Sequence, residues 1–397
     1  MFMTTALLSS QHVEEIKASA PVLAEKGEAI TTRFYNQMFE AHPELLNVFN
    51  HRNQKQGTQP KALMQTLYAA AVNIENLESL LPTVKKIAHK HVALQVVPEQ
   101  YPIVGHYLLK AMKDELGEAA TDELLEAWGE AYQIVADIFI NVEQELYQET
   151  KDQPGGWNGF RPFAVDGKNK ESDDITSFYF KPEDGGALPT FSPGQYITLR
   201  VLLPDDQYTH LRHYSLSDAP DKDHFRISVK RETSPKYPDG EISNFLHDQL
   251  EVGDQISISA PAGVFTTDVD AGHPMVLLGA GIGQTPLISM AKGALEANPE
   301  RDIDFVYTAK NEENHALLEE MNVLNERYEN FRPYVRYTET DAHIDKEFLQ
   351  TVIDENDTQE FFLCGPGSFT ADMKEILEND LYISEEAIQR EMFKPFV

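Results

Sequence analysis

The sequence predicts a multidomain chain of three successive folds: an all-α unit, an antiparallel β-barrel, and an α/β unit with a parallel sheet. Three observations carry this expectation. Apolar residues recur at helical spacing through the first 150 residues, the period drops to two after residue 160, and beyond residue 268 apolar strands alternate with helical stretches. A chain of 397 residues is also too long for one ordinary core.

In the first unit, residues 1–150, Leu63, Leu67, Ala70 and Ile74 form one stripe, and Leu125, Trp128, Tyr132, Val135 and Phe139 another. Pro43, Pro60, Pro82 and Pro98 fall between or at the starts of these segments, where proline stops or begins helices. Gln153-Pro154-Gly155-Gly156-Trp157-Asn158-Gly159 interrupts the pattern, which places a linker at 151–159. In residues 160–268, Ile197, Leu199 and Val201 alternate with Tyr196, Thr198 and Arg200. Phe225, Ile227 and Val229 alternate in the same way with Arg226, Ser228 and Lys230. Short strands separated by Pro, Gly and Asp suggest a small barrel. In residues 269–397 the apolar strands Met275–Leu278, Ile303–Tyr307 and Phe361–Cys364 are separated by helical segments, the pattern of a nucleotide-binding sheet.

Composition excludes several classes. With 33 Lys and Arg against 65 Asp and Glu, the formal charge of −32 repels nucleic acid and anionic lipid. The surplus fits either a high-salt adaptation or a merely acidic protein. The single cysteine, Cys364, rules out an intrachain disulfide and a cysteine zinc site, and suits a reducing compartment. No apolar run reaches the roughly 18–20 residues that span a bilayer. Met1–His12 lacks a basic region before Leu7-Leu8, so the expected location is cytoplasmic.

The segment Leu81–Val97 carries two histidines. Val84, Ile87, Ala88 and His91 share a helix face, while His89 falls on the other side with Lys85 and Lys86. His91 therefore points to an apolar interior, as a haem-iron ligand must, although a hydrogen-bonded core histidine satisfies the same pattern. Gln59 precedes Leu63 by one turn, and Tyr35 lies in the helical stretch Ile30–Phe39. An amide and a phenol in an apolar pocket can donate to bound dioxygen; a helix-start glutamine and a snorkelling tyrosine are the alternatives.

Together with Phe34-Tyr35-Asn36-Gln37-Met38-Phe39, Ile87-Ala88-His89-Lys90-His91, Pro98-Glu99-Gln100-Tyr101 and Ile140-Asn141-Val142-Glu143, these residues resemble the globin domain of flavohaemoglobins. The resemblance implies that His91 is the proximal iron ligand and that Tyr35 and Gln59 are distal. It also implies that Tyr101 and Glu143 form a relay with His91, and that Lys90 tunes haem and flavin potentials. A carboxylate accepting from imidazole raises its basicity.

Arg212-His213-Tyr214-Ser215 offers a fork for phosphate, a flat ring for isoalloxazine and a hydroxyl for a ring nitrogen, although a barrel strand end is the plainer reading of the tetrapeptide alone. Pro193-Gly194-Gln195-Tyr196 brings a second tyrosine, and Val229-Lys230-Arg231-Glu232 ends a strand in basic residues. Gly240-Glu241-Ile242-Ser243 opens a helix whose amides and Ser243 suit a pyrophosphate. Gly279-Ala280-Gly281-Ile282-Gly283-Gln284-Thr285-Pro286 lies between a strand and a helix, as a dinucleotide-binding turn does. Cys364-Gly365-Pro366 ends another strand at the same edge; a small buried thiol is the plainer reading of Cys364.

In this order the motifs resemble the ferredoxin–NADP reductase superfamily over residues 160–397. The resemblance implies FAD contacts from the tail Glu391-Met392-Phe393-Lys394-Pro395, with Phe393 against the flavin and Glu391 also affecting its potential. The usual Phe-Gly-Pro reads Phe393-Lys394-Pro395 here, and Gln389 replaces a common histidine. The combined resemblance implies haem b, FAD and NAD(P)H as cofactors. It also implies a monomeric nitric oxide dioxygenase that detoxifies NO with O2. An oxygen or NO sensor with a haem-maintaining reductase, and a haem-free flavin reductase, are the competing expectations.

Overall fold

The computed structural model describes residues 8–49, 58–233, 239–353 and 359–393. They form two compact units. One runs to Lys151 and takes in Pro204–Leu211; the other spans Asp152–Leu203 and continues from Arg212.

The first unit is helical. Helix α1 (Ser10–Ala41) starts where Ser9 accepts from the amide of His12 at 3.1 Å, and it ends before Pro43. It continues through Pro21 because Ile16 and Leu23, either side of the proline, are both buried and anchor it. Helices α2 (Thr58–Val72), α3 (Leu81–Leu94), α4 (Gln100–Leu116) and α5 (Asp122–Asp152) follow. Thr121 accepts from the amide of Leu124 at 3.1 Å, and Asp122 and Glu123 lie in the first turn of α5, where acidic side chains favour the helix dipole. Ile30, Phe34, Met38, Leu108, Met112 and Trp128 meet in the core. The Trp128 indole donates to Ser19 at 3.1 Å, which satisfies its buried N–H.

The second unit opens with strands β1 (Phe160–Lys170), β2 (Ile175–Pro182), β3 (Tyr196–Val201), β4 (His210–Ser215), β5 (Phe225–Lys230) and β6 (Gln255–Ser259). They form one sheet in the order β4-β3-β6-β1-β2-β5. A bridge between Leu216, just beyond β4, and Ile227 of β5 joins the two edges, so the sheet closes on itself. Phe163, Phe178, Phe180, Ile197, Leu199 and Ile227 fill the interior. Helix α6 (Glu241–Asp248) follows β5.

The alternation in β5 departs from the pattern in the sequence. Arg226 and Ser228, the polar members of the alternation, are 3% and 4% exposed. Both faces of this strand are covered: Ser228 bonds Ser177 and Ser217, and the Arg226 guanidinium reaches Glu320 of the following fold.

That fold contains β7 (Met275–Ala280), α7 (Gln284–Ala297), β8 (Ile303–Ala309), α8 (Leu318–Arg327), β9 (Phe331–Tyr337), α9 (Lys346–Val352), β10 (Glu360–Cys364), α10 (Gly367–Glu375) and β11 (Ile388–Glu391). The strands pair in parallel in the order β11-β10-β7-β8-β9. Chain order reverses between β7 and β10, the switch point where α/β sheets bind ligands at their carboxyl ends.

The acidic surplus of 32 formal charges gives a test of the high-salt reading. Salt screens repulsion among exposed carboxylates, so the melting temperature is expected to rise between low and molar sodium chloride. A flat or falling Tm, followed by circular dichroism, would leave only the merely acidic reading.

Candidate functional site

In the helical unit, Val84 and Ala88 of α3 are buried and place His91 on the same inner face. The His91 Nδ1 lies 2.7 Å from Glu143 Oε1 and 3.2 Å from the Tyr101 hydroxyl, and that hydroxyl donates to the same Glu143 oxygen at 2.5 Å. Glu143, from α5, is 2% exposed and is an acceptor when ionised, so Nδ1 carries the imidazole proton. The Nε2 lone pair is thereby directed away from the carboxylate, as an axial haem ligand requires. Burial, then the Glu143 hydrogen bond, raises the Tyr101 pKa well above the phenolic range and keeps its proton in place. Tyr132 fixes this tyrosine's helix by donating to the Tyr101 carbonyl at 2.6 Å. Among the described residues no group of three or more His, Cys, Asp or Glu converges to chelate a bare ion. A lone, oriented imidazole suits iron already held in a macrocycle.

Tyr35 is 6% exposed and packs against the rings of Phe34, Phe39 and Phe49. Gln59 lies in the first turn of α2, but its side chain lies outside the described residues. Lys90 is half-buried beside His91. His89 is half-buried too rather than solvent-facing, and burial lowers its pKa.

In the β-barrel, His213 Nδ1 lies 2.7 Å from the Thr198 hydroxyl, and its ring packs on Tyr196 with centroids 4.7 Å apart. The Tyr196 hydroxyl is buried without a hydrogen-bond partner among the described residues, an orphan that a polar flavin edge would satisfy. Arg212, Tyr214 and Ser215 follow one another along β4, each half-buried. Gly194, at φ +102°, turns the chain into Tyr196, and a Cβ there would strike the Phe265 carbonyl at 2.1 Å. Lys230 and Arg231 are committed elsewhere: Lys230 pairs with Asp174, and Arg231 forks onto Asp248. The Ser243 hydroxyl is also engaged, donating to the Gly240 carbonyl and accepting from the Glu232 amide, both at 3.1 Å. The amides that open α6 are the group left to face an anion.

In the parallel sheet, Gly279 and Ala280 close β7, and Gly281–Gly283 turns into α7, which begins at Gln284-Thr285-Pro286. Ile282 packs on the sheet core. Gly283 touches the end of β10: an added Cβ would lie 2.2 Å from the Cys364 carbonyl oxygen. Cys364-Gly365-Pro366 and the glycine turn thus lie packed side by side at the switch point. Burial pushes the Cys364 thiol pKa well up, so it is a protonated thiol and not a nucleophile. Glu391 sits in register with Cys364, and Met392 donates its amide to the Glu391 carboxylate at 3.1 Å. Phe393 is 48% exposed; Lys394 and Pro395 lie outside the described residues.

Two features escaped the sequence reading. The Tyr307 hydroxyl donates to the Gly281 carbonyl at 3.1 Å, bracing the turn from β8. Asp218, Lys292, Glu320 and Arg226 form a charge network joining the barrel to α7 and α8, with Lys292 Nζ 2.9 Å from Glu320. Its members are separated by up to about a hundred positions, so no local spacing announces them.

Residues 32–139 match the Globin family, 162–267 the oxidoreductase FAD-binding domain and 277–375 the oxidoreductase NAD-binding domain. A flavohemoprotein of Oceanobacillus iheyensis is 49% identical over 403 aligned positions, covering 100% of this chain and 98% of that one. The chain belongs to the flavohemoprotein family. The crystal structure of a flavohemoglobin from Malassezia yamatoensis, with bound FAD and haem, superposes with a TM-score of 0.86 at 28% identity. It covers 98% of this chain and 100% of the other. The FAD/NAD-binding domain of a nitric oxide dioxygenase from Vibrio cholerae matches at TM-score 0.54 and 31% identity, over 59% of this chain and 99% of that one. The three architectures expected from the sequence are those of this flavohemoprotein. Among the described residues no helix is long and apolar enough to cross a membrane.

Proposed function

We propose that the chain is an NAD(P)H-dependent nitric oxide dioxygenase that converts NO and O2 to nitrate, with His91 as its proximal iron ligand. The observation that carries this reading is the hydrogen-bonded set His91–Glu143–Tyr101, in one chain with a flavin barrel and a nucleotide sheet. When bound, FAD divides the hydride of NAD(P)H into single electrons, and haem b supplies the one-electron iron chemistry that makes nitrate.

The residues do the rest. Glu143 holds the Nδ1 proton, which makes Nε2 a stronger donor and fixes the ring. Tyr101 shares the charge of Glu143 and limits how far that carboxylate can turn. Tyr35 and Gln59 orient dioxygen on the distal side, and Lys90 tunes the potential by its charge. Arg212, His213, Tyr214, Ser215, Tyr196 and the amides around Ser243 bind FAD. Glu391, Met392, Phe393, Lys394 and Pro395 supply further FAD contacts, with Phe393 against the flavin ring. The turn from Gly279 to Pro286, with Cys364, Gly365 and Pro366, binds the pyrophosphate and positions nicotinamide. The domain limits in this reading are 1–150, 160–268 and 269–397, with 151–159 as linker, and the chain acts as a cytoplasmic monomer.

Aerobic NO consumption by the purified holoprotein, with nitrate and nicotinamide counted, tests the reading. About two nitrates per NAD(P)H are expected, since each needs one electron and a hydride brings a pair. NADH-driven flavin reduction without nitrate would refute it.

Tyr35→Phe tests the distal assignment. Losing one hydrogen bond, net about 1 kcal/mol, is expected to speed dioxygen release several-fold in stopped flow. An unchanged rate would make Tyr35 a packing residue.

A further inference from the structure

The carboxyl end of the second strand in a nucleotide-binding sheet is where the adenosine ribose is read: an acid suits the 2′-hydroxyl of NAD, a cation the 2′-phosphate of NADP. In this chain that strand is β8, and the residue after it is Lys310. Taken alone, Lys310 suggests a 2′-phosphate site. Its surroundings point the other way.

The β8–β9 pairing runs beyond both strands. Thr338 donates its amide to the Ala309 carbonyl at 3.0 Å, and Glu339 donates to the Lys310 carbonyl at 3.1 Å. This register sets Glu339 beside Lys310 whatever the side chains do. One Glu339 carboxylate oxygen lies 3.2 Å from the Lys310 ammonium; the other accepts from the Asn311 amide at 2.9 Å. Asn311 is held from its other end, its side-chain oxygen accepting from the Asn314 amide at 3.1 Å. Hydrogen bonds from Asn311 and Lys310 keep the Glu339 carboxylate below its ordinary range, so it stays charged.

The rest of the loop adds negative charge. The two segments 308–315 and 338–342 hold one lysine against Glu312, Glu313, Glu339 and Asp341. The nearest further cation on β9, Arg336, has its guanidinium over the Phe348 ring, 4.5 Å from the centroid. A 2′-phosphate, with about two negative charges, would have to displace Glu339 from Lys310 and then sit beside it.

We propose that Glu339 makes this site select NADH over NADPH by holding the only lysine of the loop. The inference rests on the nucleotide site assigned above. Lys310 and Glu339 are both substantially exposed, so the pair is modest by itself. Selection comes from the repulsion left when the lysine is already engaged, and it therefore weakens as salt rises.

The test titrates the holoprotein, by calorimetry, with AMP and with adenosine 2′,5′-bisphosphate. Flavin reduction by NADH and NADPH is measured in parallel. The wild type is expected to bind AMP more tightly. Glu339→Gln is expected to shift the ratio of the two affinities about tenfold toward the bisphosphate, and to move the NADH:NADPH efficiency ratio the same way. Lys310→Ala in the wild type is expected to change the ratio less than about twofold, but to cancel the gain when added to Glu339→Gln. A large loss of bisphosphate binding in Lys310→Ala alone would overturn the proposal, because the lysine would then already serve a 2′-phosphate. An unchanged ratio in Glu339→Gln would also overturn it. If AMP does not bind the holoprotein at all, the nucleotide-site assignment itself fails.

Discussion

Replacing His91 with alanine is expected to yield a protein with no Soret band but with intact NAD(P)H-driven flavin reduction. The effect is all or none because His91 is the imidazole whose Nδ1 is held by Glu143, leaving Nε2 oriented for iron. His89 is the internal control. It is half-buried, and burial lowers its pKa, yet it lies on the other side of α3. His89→Ala is therefore expected to keep haem. If His89→Ala loses the Soret band and His91→Ala retains it, the facing argument is wrong. Flavin reduction guards against a trivial result, since the reductase folds around separate cores.

Gly283→Ala is expected to reduce hydride transfer from NAD(P)H by about 100-fold or more, with haem and FAD still bound. The added Cβ would meet the Cys364 carbonyl oxygen at 2.2 Å, the Cys364 carbonyl carbon at 2.5 Å and the Gly365 Cα at 2.7 Å. All three are backbone atoms, so the turn and the end of β10 must separate. The two segments assigned to the nucleotide then move apart, and a displacement near 1 Å suffices for a loss of this size. Overpacking of this kind costs about 1–3 kcal/mol, so the variant should still fold. Gly272→Ala is the matched control, because its Cβ would meet nothing within 4 Å. Anaerobic stopped-flow reduction separates the outcomes. Normal reduction by NADH in Gly283→Ala would show that the nucleotide binds elsewhere; reduction by dithionite should be unaffected.

How much of this was legible beforehand depended on how local each feature is. Helices could be read from period, as in the stripe from Leu125 to Phe139, and buried strands from short apolar runs between helical stretches, as in Met275–Leu278. The inward direction of His91 was legible too, because Val84 and Ala88 lie on its own helix. The relay was not. Tyr101 and Glu143 are 10 and 52 positions from His91, and each is an ordinary helix residue until the fold brings them together. They were assigned only through resemblance to flavohaemoglobins. In β5 the alternation could be read but not the burial of Arg226 and Ser228, because a sequence does not show what covers the second face of a sheet. The part Ser243 plays in closing the turn before α6, with Gly240 and Glu232, was not legible, because Glu232 lies eleven positions away. The loop after β8 shows the same limit. Lys310 was visible, but its partner Glu339 reaches it only through the register of β8 on β9.

The network of Asp218, Lys292, Glu320 and Arg226 sets how readily the barrel and the nucleotide sheet can part. Arg226 is 3% exposed, and its desolvation is offset by Glu320 and Asp218 beside it. Removing one partner from such a buried pair typically costs about 3–5 kcal/mol. An opening that cost as much would leave the parted form at roughly one molecule in a few hundred to a few thousand, a rare population and not a forbidden one. The four charges are a latch, not a weld.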